Sequence, residues 1–128
     1  IHGFSEFLKY VESFQFHGVT LDIRENSKVI NNPQSNKKQY GEFIKVLACI
    51  SDWKAIYGSN VINSLIVSMT KNESDILNLY KLCKKYITSP KDIPMIVPLL
   101  EEIDDLQNSD YFLDNLLSNK DYKTHIIK

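Results

Sequence analysis

Short β-branched runs alternate in this chain with longer stretches of helical spacing, and this alternation limits the fold more than any other feature. The runs of strand character lie at residues 18–24, 62–69 and 93–100. Helical patterns precede the first run, separate the three and follow the last. Strands that alternate with helices pair in parallel through right-handed crossovers. The sequence therefore predicts a helix-rich α/β fold built on a parallel sheet.

The expected helices follow from the same spacing. Apolar residues predict an amphipathic helix over about 5–14 and a second one over 40–57, which Gly58 would end. The polar stretch 31–39 predicts a loop. Aromatic residues at core spacing are interpreted as packing residues. They are Phe14, Phe16, Trp53, Tyr57 and Tyr80.

The middle helix has a recognisable start and end. Thr70 and Glu73 form a capping-box pattern before it, and Pro90 lies beyond its expected end. Within it, Lys81, Lys84 and Lys85 are expected to form a solvated face. Short helices are predicted from about residues 109 and 119 onward.

Length and charge exclude several classes of protein. The 128 residues suffice for one domain, and 15 basic against 16 acidic residues give a net charge of −1, which argues against a nucleic-acid binder. The longest apolar run, 95–100, is too short to span a membrane, and no signal-peptide pattern is visible. Because the chain opens with Ile1 rather than Met, we expect it to be a piece of a longer protein.

Cysteine, histidine and glycine show no motif of a redox, metal or nucleotide site. Cys49 and Cys83 lie far apart among apolar neighbours, which predicts two buried thiols in a reducing compartment. The three histidines lack metal-ligand spacing, and His17 is expected to be structural. The four glycines form no phosphate-binding loop.

Arginine occurs once in the chain, at Arg24, whereas lysine occurs fourteen times. Where a single positive charge suffices, this sequence uses lysine. Arg24 is therefore a candidate for a task that needs a planar guanidinium, such as binding a phosphate or carboxylate through two hydrogen bonds. Chance is the alternative explanation.

Polar side chains follow each predicted strand. Arg24 and Glu25 end the first strand, residues 68–70 end the second, and Glu101 with Glu102 follow the third. In parallel sheets and barrels, ligands bind beyond the carboxyl ends of the strands. Mg²⁺ takes one or two carboxylates together with substrate oxygens, and an arginine nearby suits an anionic substrate. The alternative is that the two glutamates begin an acidic, solvated face.

Asp22 and Arg24 are two residues apart on the first strand, so their side chains share one face. Inside a barrel they would form an internal ion pair. On an open sheet the same face would be solvated.

The three strand ends resemble conserved blocks of the phosphoenolpyruvate carboxylase family. The first block is Phe14-Gln15-Phe16-His17 with Leu21-Asp22-Ile23-Arg24-Glu25-Asn26-Ser27, the second is Ile66-Val67-Ser68-Met69-Thr70 with Ser74-Asp75-Ile76-Leu77, and the third is Pro98-Leu99-Leu100-Glu101-Glu102-Ile103-Asp104-Asp105-Leu106. They occur in the family's order along nearly the whole chain.

The resemblance implies three successive strand–helix units, within residues 1–128, of a (β/α)8-type barrel (TIM-like). The family adds bicarbonate to phosphoenolpyruvate with Mg²⁺ or Mn²⁺ and gives oxaloacetate and phosphate. Glu101 corresponds to the family's metal-binding glutamate, and Arg24 to the arginine that lines the anionic substrate site. The resemblance also implies a cytoplasmic enzyme that assembles as a homotetramer.

The sequence departs from the family pattern at four positions near these strand ends: Glu25 replaces a glutamine, Ile30 a histidine, Leu100 a phenylalanine and Glu102 a threonine. Several family motifs are also absent. They are the His-Pro-Thr histidine, the Gly-Arg-Gly-Gly loop and the Gly-Tyr-Ser-Asp motif. We therefore expect the chain alone to be inactive.

Two other functional classes fit the residues. One is a non-catalytic α/β interaction domain, or a relative that has lost activity. The other is a different metal-assisted barrel enzyme that acts on a phosphorylated anion.

Overall fold

All three predicted strands are present in the computed structural model, which describes residues 2–14 and 18–127. The strands are β1 (Leu21–Asn26), β2 (Ile62–Ser68) and β3 (Met95–Pro98). They pair in parallel in the order β1-β2-β3, so each strand neighbours the next one along the chain. The predicted helix-rich α/β class with a parallel sheet is confirmed.

The described α-helices lie before, between and after the strands. They are α1 (His2–Phe14), α2 (Ser27–Asn31), α3 (Lys37–Tyr57), α4 (Glu73–Tyr86), α5 (Ile103–Gln107), α6 (Ser109–Ser118) and α7 (Lys120–Ile126). A 3₁₀ turn at Pro90–Asp92 precedes β3. Tyr122 on α7 donates a hydrogen bond of 2.8 Å to the carbonyl of Ile96, which joins the last helix to the sheet.

The strand bounds differ from the sequence expectation at both edges of the sheet. β1 was expected over 18–24 but begins at Leu21, after Gly18 turns the chain with a φ of 74°, and it continues to Asn26. β3 was expected over 93–100 but covers Met95–Pro98. Pro94 directly precedes β3 and has no N–H to donate to a neighbouring strand.

One face of the sheet is covered by helices. Leu65 and Val67 of β2 and Ile96 of β3 are buried in the same cluster as apolar residues of α3 and α4. Those residues are Phe43, Leu47, Ile50, Ile76, Leu79 and Cys83. Met95, which points to the opposite face, is 43% exposed. The described residues therefore leave the opposite face of β3 open at Met95.

Two short helices were missed because local hydrogen bonds, not apolar spacing, start them. Asn26 caps α2 by accepting a hydrogen bond of 2.8 Å from the N–H of Lys28, so this helix ends within the predicted loop 31–39. In α5, the side chains of Glu102 and Asp105 form a capping box. Each helix has only five residues, too few for a periodic signal.

The capping box of α4 is formed by residues other than the predicted pair. Asn72 and Asp75 exchange the two capping hydrogen bonds, and the helix begins at Glu73. Thr70 is fully buried and donates to the carbonyl of Val67 at 2.8 Å. The prediction of Thr70 and Glu73 is wrong because the loop after β2 runs two residues further before the helix starts.

The predicted aromatic core is present in part. Trp53 and Tyr80 pack against the buried cluster, as expected. Phe14 and Tyr57 are 48% and 47% exposed, so the prediction that they pack inside is wrong. Phe16 and His17 lie outside the described residues.

The two cysteines differ in burial and both are free thiols. Cys83 is fully buried, and burial raises its pKa to about 12. Cys49 is half-buried, so the prediction of two buried thiols is confirmed for Cys83 alone. In the described part of the chain, no helix has the length and apolar character needed to cross a membrane.

Candidate functional site

The carboxyl ends of the three strands lie along one edge of the sheet because the strands are parallel. Arg24 lies near the end of β1, paired in register with Ile66 of β2. The ladder between β2 and β3 continues to Leu99, whose N–H donates to the carbonyl of Val67 at 2.9 Å. Glu101 follows in the next loop. We call the surface formed by Arg24, Met69, Lys71 and Glu101 the strand-end edge.

Arg24 and Glu101 meet across this edge. Nη2 of Arg24 lies 2.7 Å from Oε1 of Glu101, although 77 residues separate them in sequence. Their side chains are 55% and 30% exposed, so the pair is open to solvent. The structure thus brings together the two residues that the sequence singled out.

The backbone of Met69 holds the second oxygen of the Glu101 carboxylate. Its N–H donates to Oε2 at 2.9 Å, and its φ of 55° is the left-handed conformation that few residues other than glycine adopt. Its carbonyl accepts a hydrogen bond of 2.7 Å from the buried hydroxyl of Ser27. Met69 therefore connects the loops that follow all three strands.

The hydroxyls expected at this edge are structural. Ser68 is buried and donates to the carbonyl of Glu25 at 3.3 Å, while Thr70 is bonded to the carbonyl of Val67. Each hydroxyl therefore has a backbone carbonyl as its partner.

Two departures from the family pattern are accommodated away from this pair. Glu25 alternates to the face opposite Arg24 and accepts hydrogen bonds from its neighbour's N–H at 2.7 Å and from Gln39 at 2.9 Å. Ile30 is 5% exposed and belongs to the core.

Lys71 pairs with acidic residues at the start of α5. Its Nζ contacts the carboxylate of Glu102 and lies 3.1 Å and 3.2 Å from the two carboxylate oxygens of Asp105. The hydrogen bond that Lys71 donates to Glu102, and after it the one that it donates to Asp105, raises the pKa of Lys71. Glu101, Glu102 and Asp105 thus each have a basic partner, while Glu101 and Glu102 remain exposed to solvent.

Asp22 does not provide the partner of Arg24. The two share the sheet face opposite the helices, and both are exposed there. Arg24 pairs with Glu101 instead. In the described sheet Asp22 therefore lies on a solvated face, as expected for an open sheet.

The donor chemistry of the strand-end edge fits one ligand of a hard divalent cation. Glu101 is a carboxylate at the surface, but the described residues include no group of three histidine, cysteine, aspartate or glutamate side chains that could hold a metal ion. Mg²⁺ keeps several waters and binds through one or two carboxylates plus substrate oxygens. Glu101 can supply one of those carboxylates.

The predicted basic face of α4 is a surface feature. Lys81, Lys84 and Lys85 are exposed, and Lys84 lies 3.3 Å from a carboxylate oxygen of Asp121. His125, which carried no sequence signal, is buried with Nε2 3.1 Å from the carbonyl of Pro94. Neither feature lies at the strand-end edge.

Sequence reasoning placed Met69 at the end of the second strand without a role for it, and it missed Lys71. A left-handed φ at a methionine has no sequence signal, since the conformation is imposed by the surrounding hydrogen bonds. Lys71 had one available signal, its position directly after the polar end of β2. Among fourteen lysines, that position alone did not distinguish it.

Comparison with known proteins gives a consistent result. A sequence model of the family described as "Phosphoenolpyruvate carboxylase" matches residues 30–128. The phosphoenolpyruvate carboxylase of Rhodopseudomonas palustris strain HaA2 is 40% identical over 155 residues, which cover 88% of this chain and 17% of that protein. The phosphoenolpyruvate carboxylase of Xanthomonas campestris pv. campestris strain 8004 is 28% identical over 152 residues, covering 91% of this chain and 17% of that protein.

The chain thus spans about a sixth of the length of these curated relatives. No solved structure matches it significantly. The family match includes Glu101 and all of β2 and β3, and the alignments with relatives extend over most of the chain. On this evidence, the chain belongs to the phosphoenolpyruvate carboxylase family.

Proposed function

We propose that the chain supplies three consecutive strand–helix units of the catalytic (β/α)8-type barrel of a phosphoenolpyruvate carboxylase. The complete enzyme would add bicarbonate to phosphoenolpyruvate and release oxaloacetate and phosphate, a lyase activity that feeds the tricarboxylic acid cycle. One observation carries the proposal: the only arginine of the chain and a carboxylate meet at 2.7 Å where parallel strands end. Family membership supplies the reaction.

Arg24 and Glu101 would divide the binding of substrates between them. Arg24 would pair with the phosphate of phosphoenolpyruvate or with bicarbonate, for which a guanidinium offers two parallel donors. Glu101 would be one carboxylate ligand of Mg²⁺ or Mn²⁺. When bound, the divalent ion supplies positive charge where the reacting oxygen becomes negative.

The reaction has two bond-making steps in this proposal. The phosphoryl group leaves the enol oxygen of phosphoenolpyruvate and bonds to a bicarbonate oxygen, which gives carboxyphosphate and an enolate. The enolate carbon then bonds to the carboxyl carbon as phosphate leaves. Arg24 would stabilise the anionic groups in both steps, and a closed barrel would keep water from the reactive species.

We also propose the setting that the family implies, a cytoplasmic homotetramer. Mass photometry of the full-length protein tests the assembly. A mass near four protomers is expected, and a stable monomer would contradict it.

The function is tested on the full-length protein in an assay that couples oxaloacetate to NADH oxidation by malate dehydrogenase. Oxaloacetate and phosphate should form in equal amounts, and only with phosphoenolpyruvate, bicarbonate and Mg²⁺ together. Absence of any turnover would favour a relative that has lost activity. Consumption of phosphoenolpyruvate without oxaloacetate would favour a different enzyme.

A further inference from the structure

Lys71 joins the loop after β2 to the start of α5. Its ammonium group contacts the carboxylates of Glu102 and Asp105, which are the two residues of the α5 capping box. Asp105 is well shielded, with a side chain 10% exposed. A helix of five residues is not stable by its own hydrogen bonds, so contacts of this kind determine where it begins.

Glu101 lies in the loop after β3, between two sets of contacts that hold this loop in place. On one side, the ladder ends with the N–H of Leu99 bonded to Val67 at 2.9 Å. On the other side, Glu102 begins the cap of α5 and is paired with Lys71. The position of the Glu101 backbone is therefore set by the ladder before it and by the Lys71 contacts after it.

The side chain of Glu101 depends on the same segment as Lys71. Its Oε2 accepts from the N–H of Met69, two residues before Lys71, and its Oε1 faces Arg24. Met69 holds its left-handed backbone while bonded to Ser27 and Glu101, the arrangement expected when surrounding contacts impose a strained conformation. A shift of the β2–α4 loop relative to α5 would break these contacts.

We propose that Lys71 is a positioning residue for the Glu101 carboxylate. It fixes the loop after β3 against the loop after β2, so that one carboxylate oxygen meets Arg24 and the other meets the N–H of Met69. The expected effect of Lys71 on catalysis rests on the function proposed above, whereas its effect on the position of Glu101 does not. A simple surface ion pair, which contributes little to stability, is the competing explanation.

The positional claim is tested on the 128-residue chain without metal or substrate. The chain has two methionines, so selective labelling with [¹⁵N]methionine gives two backbone amide signals, from Met69 and Met95. The measured quantity is the hydrogen-exchange rate of the Met69 amide, with Met95 in β3 as an internal reference. Losing a hydrogen bond to a charged acceptor should raise this rate about tenfold.

Three variants and a control make the test specific. Lys71→Gln and Asp105→Asn, which break the same ion pair from opposite ends, should each raise the Met69 exchange rate about tenfold. Asparagine retains the cap acceptor, and Asp105 is distant from Met69 in sequence, so a local effect of the substitution is avoided. Lys71→Arg should restore the wild-type rate. Lys84→Gln, which removes an exposed pair far from the edge, should change nothing.

A second readout in the full-length protein separates the two proposals. Lys71→Gln should weaken Mn²⁺ binding, measured by electron paramagnetic resonance without substrate, and lower kcat by about threefold to tenfold with little change of KM or Tm. Wild-type exchange of Met69 in Lys71→Gln and Asp105→Asn would overturn the positioning role. Faster Met69 exchange in both variants, together with a full-length wild-type protein that neither binds Mn²⁺ nor forms oxaloacetate, would overturn the proposed function and leave the positioning role supported.

Discussion

Arg24 and Glu101 form a contact that stability alone does not explain. Ion pairs between exposed side chains contribute about 0–1 kcal/mol to folding, and these two side chains are 55% and 30% exposed. The pair nevertheless uses the one arginine of a lysine-rich chain. We propose that the planar donor at this place serves ligand binding rather than folding.

Replacing Arg24 tests that explanation at the scale of one residue. Arg24→Lys keeps the charge and loses the planar donor, so kcat/KM for phosphoenolpyruvate in the full-length protein should fall about tenfold to a hundredfold, since a charged hydrogen bond contributes about 1.5–3 kcal/mol. Tm should change little. Steady-state kinetics and thermal unfolding are measured on the same preparation.

A loss of stability without a loss of activity would show that Arg24 has a structural role. A lower Tm with wild-type kcat/KM would mean that its contact with Glu101 supports the fold and not the substrate. Lys28→Arg, an exposed change on α2, serves as the matched control and should leave both quantities unchanged.

Helix α4 shows why an element can be predicted while its first residue is not. Thr70 with Glu73 and Asn72 with Asp75 have the same spacing of three, so both satisfy the capping-box pattern. Thr70 is buried in the core, where its hydroxyl donates a hydrogen bond to the carbonyl of Val67. Tertiary burial, which the pattern does not contain, selects the second pair.

The cap makes a direct prediction for the stability of the chain. Asn72→Ala removes the acceptor for the N–H of Ser74, at 3.1 Å, and should lower the free energy of unfolding by about 0.5–2 kcal/mol in urea titrations. Asn72→Asp keeps an acceptor and should remain near wild type. A loss on Glu73→Gln as large as that on Asn72→Ala would contradict this assignment.

The buried face of α4 predicts a loss of stability in alkali. Burial raises the pKa of Cys83 to about 12, so the thiol ionises more readily in the unfolded chain. Its contribution to stability is fully present below pH about 8.5 and falls as the pH rises toward 12, by about 2 kcal/mol at pH 10. Urea unfolding between pH 8 and 10 should show a shallower pH dependence in Cys83→Ala than in wild type, and equal slopes would contradict the prediction.

The sequence predicted the sheet and the placement of Arg24 and Glu101 at one edge of it, because both predictions have local signals. Alternating periodicity identified the strands, and the parallel rule placed Arg24 and Glu101 at one edge before any distance was known. Features that depend on tertiary contacts could not be predicted from the sequence. The left-handed Met69 and the pairing of Lys71 depend on residues more than thirty positions apart. Helix α5 has only five residues, too few for a periodic signal.

At the scale of the whole molecule, the described structure has apolar surfaces that a complete barrel would be expected to cover. The aromatic residues of α1 are exposed, with Phe4 at 60% and Phe7 at 59%, and so is Met95 on the open face of the sheet. The curated relatives are about six times longer than the part this chain matches. We propose that the further strands and helices of such a protein cover these surfaces.

We also predict that the 128-residue chain alone has no carboxylase activity. The described residues offer no group of three potential metal ligands, and a single carboxylate holds Mg²⁺ weakly because the ion dehydrates reluctantly. The measurement is oxaloacetate formation by the purified chain against a heat-inactivated sample. Bicarbonate-dependent oxaloacetate above that background would show that the chain contains a sufficient site.

The most direct test of the central claim is the kcat of Glu101→Gln in the full-length protein at saturating Mg²⁺. Glutamine keeps the volume and removes the charge, so kcat should fall about 10²–10³-fold, as for the loss of a key electrostatic stabiliser, while the circular dichroism spectrum and Tm stay near wild type. Asp104→Asn removes an exposed charge three residues away and should change kcat less than about twofold. A kcat of Glu101→Gln within about twofold of wild type would contradict the assignment of Glu101 to the metal and the site built around it.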